Sequence, residues 1–127
     1  MLEITDEQFD QFISEAMNFL PKDHMAAIKN VAIVYQDEPT EKQRHALQLQ
    51  CNQTLFGLYE GVPLARRQGM NHYGPDKITI FKHPLLYTST TIDELKENIW
   101  HTLWHEVAHY FGLNHRQIHE LERRPRQ

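Results

Sequence analysis

An α+β domain is the fold class this sequence predicts, with helices at the amino end, short strands in the middle and one long helix near the carboxyl end. Three features carry that expectation. Apolar residues recur at helical spacing through the first twenty positions. Three short β-branched or aromatic runs are bounded by Pro, Gly and Asn. A capped stretch opening at Thr91 then keeps an apolar stripe as far as Phe111. The chain has 127 residues, enough for one domain over 1–127 with a single buried core.

Thr5 is the expected N-cap of the first helix, with Phe9, Phe12, Ile13, Ala16, Met17 and Leu20 on its inner face and Pro21 as its stop. The stretch KDHMAAIKN reads as a short second helix, and Val31–Tyr35 as a buried strand. Residues 37–53 are polar and read as a loop with a helical turn through Arg44 to Leu49. Thr54–Tyr59 and Lys77–Phe81 supply two further strands, and Pro84 forces the last of them out of the sheet or to its edge. The connection between Gly61 and Asp76 is long enough to act as a lid. Thr91 with Glu94 makes a capping box for the longest helix, whose apolar face is Ile92, Leu95, Ile99, Trp100, Leu103, Trp104, Val107 and Phe111.

Bulk composition excludes several function classes. A formal charge of -4 offers no general attraction to phosphates or anionic lipid, so neither a nucleic acid nor a membrane is expected as partner. No run approaches transmembrane length, and the acidic start MLEITDEQFDQF is unlike a signal peptide. Cys51 is the single cysteine, so nothing points to an oxidising compartment and cytoplasmic residence is the default expectation.

The informative stretch is HEVAHYFGLNH, residues 105–115, which has the spacing HExxHxxGxxH. Four residues of helix separate His105 from His109, leaving their rings ~40° apart and one turn from each other, so both can reach one ion. Glu106 is rotated ~100° from His105, where it can hold a water beside the metal without ligating it. A zinc ion lowers the pKa of bound water toward ~7, and a neighbouring carboxylate can take up the proton. Were the helix to continue, His115 would lie ~9 Å beyond His109 and ~120° off its face. Gly112 is suited to turn the chain, since glycine readily takes the left-handed conformation that closes helices. Three histidines with one open water position describe a catalytic zinc site. Five specified residues at this spacing arise by chance on the order of once in 10^4 such sequences.

Other candidates are weaker. His101, one turn before His105, is read as a solvated or cleft residue, and His119 is the rival to His115 as third ligand, ahead of Glu120 and Glu122. His24, His45, His72 and His83 are scattered and read as surface residues. Tyr73, Tyr87 and Tyr110 are candidates to stabilise an oxyanion, against the commoner role of a packed tyrosine.

HEVAHYFGLNH matches the extended motif of metzincin-type zinc peptidases. Together with GLYEGVPL at 57–64, PDKITIF at 75–81 and IHEL at 118–121, the chain resembles the small bacterial zincin-like metallopeptidase family over most of its length. That resemblance implies a minimal zincin-like fold, with a small mixed sheet of three to four strands packed on the active-site helix. It implies one zinc ion at His105, His109 and the motif's last position, here His115, with Glu106 as general base. Members of the family often carry Asp at that last position. No Met follows His115, so the methionine turn of larger metzincins has no counterpart here.

The function expected is hydrolysis of peptide bonds in a peptide or unfolded segment paired along an edge strand, with Ile78–Phe81 or Leu55–Tyr59 as the pairing strand. The alternatives are a zinc-stabilised protein-interaction module without catalysis, and hydrolysis of a non-peptide amide or ester by the same residues.

Overall fold

The computed structural model describes residues 2–20, 22, 31–50, 56–61, 76–113, 116–117 and 120, with the side chains of 47–50 excepted. Within these the elements run α1 (Asp6–Met17), β1 (Val31–Gln36), α2 (Glu41–Gln50), β2 (Gly57–Glu60), β3 (Asp76–Phe81), α3 (Lys82–Thr88) and α4 (Ile92–Tyr110). The architecture is α+β, as the sequence predicts. All of the second helix expected over 22–30 except Lys22, together with Cys51 and most of the 61–76 connection, lies outside the described residues.

Helix α1 begins where expected. Thr5 Oγ1 accepts the Gln8 N–H at 3.1 Å while Gln8 Oε1 accepts the Thr5 N–H at 2.9 Å, a reciprocal capping box. Asp6 and Glu7 in the first turn complement the helix dipole. The same device opens α2, where Thr40 and Gln43 exchange two bonds of 2.9 and 3.1 Å. These caps make a full helix of the segment read as a loop with one turn, and TEKQ is the signal that reading overlooked.

The sheet has the order β1–β3–β2, with β1 parallel and β2 antiparallel to β3. The central strand is therefore β3, which corrects the expectation that Ile78–Phe81 could pair with an extended substrate, since both its edges are already bonded. Val31, Ile33 and Tyr35 join Tyr59, Ile78 and Ile80 on the face that packs against α1 and α4. Leu58 and Phe81 turn to the opposite face, where Ala46 of α2 covers them. Beyond Phe81 the chain does leave the sheet, but as a helix: Pro84 sits in the first turn of α3, where its missing N–H costs no intrahelical bond.

The core lies between that face and the two long helices. Leu95, Ile99, Leu103 and Val107 of α4 are fully buried, with Trp104 beside them and Phe9 and Ile13 of α1 opposite. Each such side chain contributes ~1.5–3 kcal/mol relative to exposure. Ile92, by contrast, remains 45% exposed at the start of α4. The indole of Trp100 donates to the Phe19 carbonyl at 3.1 Å, pinning the end of α1 to α4. Lys82, 7% exposed, extends to Asp6 Oδ1 at 2.6 Å and joins the starts of α1 and α3. Among the described residues no helix is long and apolar enough to cross a membrane.

Candidate metal centre

The site sits in the last two turns of α4. Thr91 Oγ1 accepts the Glu94 N–H at 3.1 Å, but the return bond from Glu94 goes to Thr90 N–H at 2.9 Å, one residue outside the capping-box position. From that start the stripe of Leu95, Ile99, Leu103 and Val107 sets the helix's rotation by facing the core. The row Glu97, His101, His105 and His109 is thereby left half-buried at the helix flank.

His105 and His109 bring their Nε2 atoms to 3.1 Å, with the rings at 79° and their centroids 4.7 Å apart. Two nitrogens bound to a tetrahedral zinc at ~2.05 Å stand ~3.3 Å from each other. The two rings therefore converge as that ion requires, and the soft-to-borderline imidazole pair suits it chemically. Glu106 offers a carboxylate oxygen to the same group, all ligand atoms lying within 4.8 Å of one another.

Glu106 lies on the sheet side of the helix. It is 2% exposed and turned toward β2, where Oε1 accepts the Tyr59 N–H at 2.8 Å. The direction of that N–H follows from the ladder. Phe81 N–H donates to the Phe56 carbonyl at 2.8 Å, so pairs 56/81, 58/79 and 60/77 bond inward and the backbone groups of Gly57 and Tyr59 point to the outer edge. Burial pushes the Glu106 carboxyl up to about 8, offset only in part by the Tyr59 N–H. A dication nearby would favour the ionised form.

The helix ends by the predicted device. Gly112 has φ of 79°, and its N–H donates to the His109 carbonyl at 2.9 Å while Leu113 N–H reaches Ala108 at 3.0 Å. This pair of bonds is the Schellman arrangement, which reverses the chain after Phe111. His115 and His119, the two candidates for third ligand, lie outside the described residues, as does Glu122. Glu120 is exposed, 3.5 Å from Arg116. His101 lies 3.2 Å from Glu97 and edge-on to Trp100.

Of the tyrosines, Tyr110 is 1% exposed and packs against Tyr59 and Phe111, a core role. Tyr87 is 64% exposed on α3, beside His83, and Tyr73 is outside the described residues. His83 is half-buried and lies 3.5 Å from Glu38. Sequence reasoning missed the part played by β2: the GLY at 57–59 stood out as a pattern, while its backbone contact with Glu106 went unassigned. A glycine inside a strand marks close backbone approach and was the available signal.

Comparison with known proteins adds a family match and a likeness of fold. A profile of the zincin-like metallopeptidase family matches residues 28–124. Comparison with curated protein sequences gives no match. Among solved structures, a conserved hypothetical protein from Thermo thermophilus superimposes with a TM-score of 0.52 at 17% identity, covering 85% of this chain and 94% of that one. At that identity the likeness is one of fold.

Proposed function

The chain belongs to the zincin-like metallopeptidase family, and we propose on that premise that it hydrolyses peptide bonds with a zinc-activated water. His105, His109 and His115 are the proposed ligands of one zinc ion and Glu106 is the general base. The observation that carries this reading is the convergence of the two Nε2 atoms to 3.1 Å beside the Glu106 carboxylate.

When bound, zinc supplies a Lewis acid that brings the pKa of a ligated water near ~7. His105, His109 and His115 would hold that ion on neutral donors, keeping its positive charge available. Glu106, held ionised by the dication beside it, accepts a proton at a carboxylate oxygen and returns it to the leaving amine. Its anchorage by Tyr59 N–H limits the carboxylate to a narrow set of orientations, which favours proton transfer over reorientation. An extended peptide is the proposed substrate, aligned along the outer edge of β2, where the Gly57 backbone and the Tyr59 carbonyl point outward next to the base.

A second reading keeps the metal and drops catalysis, leaving a zinc-stabilised interaction module. It is favoured by the near-complete burial of Glu106. Metal content of purified wild type and of His105→Ala, His109→Ala and His115→Ala, with cleavage of a mixed peptide library, separates the two. The peptidase reading expects about one zinc in wild type, little in each variant, and cleavage by wild type alone. Zinc without cleavage would leave the interaction module.

A further inference from the structure

Gly57 stands where β2 crosses α4. A β-carbon built there would lie 2.7 Å from Thr102 Cγ2, 3.2 Å from Glu106 Cγ and 3.3 Å from the Thr79 carbonyl oxygen. Two carbons do not pack at the first of these distances, so a side chain at 57 must lift the strand or turn the threonine. Thr102 has little freedom to turn. It is β-branched and 7% exposed, and its hydroxyl donates to the Asn98 carbonyl at 2.8 Å, which holds the methyl in place. Two residues along the same strand, on the same face, is Tyr59, whose N–H grips Glu106. A strand carries a displacement over ~7 Å with little loss, so the height of Gly57 above the helix sets the height of the Tyr59 amide.

We propose that Gly57 is a positioning residue for the proposed hydrolysis: its lack of a side chain lets the Thr102 methyl seat β2 at the height where Tyr59 N–H holds the Glu106 carboxylate. The inference rests on the peptidase reading for its effect on rate, and on packing alone for the contact itself. In this scheme Thr102 touches neither metal nor substrate, and Gly57 meets the substrate through its backbone alone. They act through the base, so their loss costs turnover and leaves metal binding in place.

The test uses zinc-loaded, ¹⁵N-labelled protein as wild type, Gly57→Ala and Gly57→Ala/Thr102→Ser. Serine keeps the hydroxyl for Asn98 and lacks the methyl, which relieves the tightest contact. Gly57→Ala is expected to lower kcat ~10- to 100-fold with zinc content within about twofold of wild type. Hydrogen exchange at the Tyr59 amide should quicken at least ~10-fold as its acceptor is lost. The double variant should recover most of both. Wild-type kcat and slow Tyr59 exchange in Gly57→Ala would overturn the proposal, as would a double variant no better than the single. If Gly57→Ala does not fold, the double variant decides: folded but with a fast Tyr59 amide, it refutes the seat. A wild type that cleaves no peptide would refute the peptidase reading and the role in turnover, while the exchange data would still decide the contact.

Discussion

Replacing Glu106 by Gln should stabilise the metal-free protein, and should do so increasingly as pH rises. The carboxyl is 2% exposed, and burial pushes it from 4.5 up to about 8. Between those values the folded chain holds a proton that the unfolded chain has released, so stability falls as pH rises through the window. At ~1.36 kcal/mol per unit, the full loss approaches ~4–5 kcal/mol. That is a large share of the ~5–15 kcal/mol available to a domain. Glutamine reproduces the protonated form in shape, keeps an oxygen for the Tyr59 N–H and has nothing to ionise. Urea denaturation of zinc-free wild type and Glu106→Gln from pH 5 to 9 reads the effect directly. The difference between the two stability curves should be small at pH 5 and should grow to a few kcal/mol by pH 8. Parallel curves would refute the burial of an ionisable Glu106, because the titrating groups remote from it are common to both proteins and cancel.

Gly112→Ala should destabilise by ~1–2 kcal/mol, since φ of 79° disfavours a β-carbon, and Gly112→Asn should recover part of that loss. Thermal melts would read this as a drop of several degrees. His109→Ala should leave the melting temperature of the metal-free protein nearly unchanged and abolish the rise that zinc produces in wild type, which at 100 times Kd is worth ~2.7 kcal/mol. Asp6→Ala should cost ~1–3 kcal/mol and more than Lys82→Met, because the first leaves the buried Lys82 ammonium without its 2.6 Å partner and the second removes the charge. A larger loss from Lys82→Met in denaturant titrations would contradict that order.

The long helix, its cap at Thr91 and its stop at Gly112 were legible because each rests on local chemistry: a capping hydroxyl, a 3.6-residue apolar stripe and a residue that tolerates positive φ. The histidine pair was legible for the same reason, four residues of helix being enough to superpose two rings. Strand positions came from β-branched runs, but their order did not, because whether β2 or β3 takes the edge depends on long-range packing. The inward turn of Glu106 was equally hidden. Its rotation about α4 was readable, while the strand that meets it comes from 47 residues away and presents backbone rather than a side chain. Helix α3 escaped because Pro84 reads as a breaker unless the first turn of a helix is placed under it.

The central claim is that Glu106 moves a proton for a metal-activated water, and turnover of zinc-loaded wild type against zinc-loaded Glu106→Gln tests it most directly. With the same mixed peptides and equal zinc content, wild type should produce new amino termini, and Glu106→Gln should be slower by ~10²–10⁴-fold. Equal cleavage by the two proteins, or none by either at full zinc occupancy, would contradict the account.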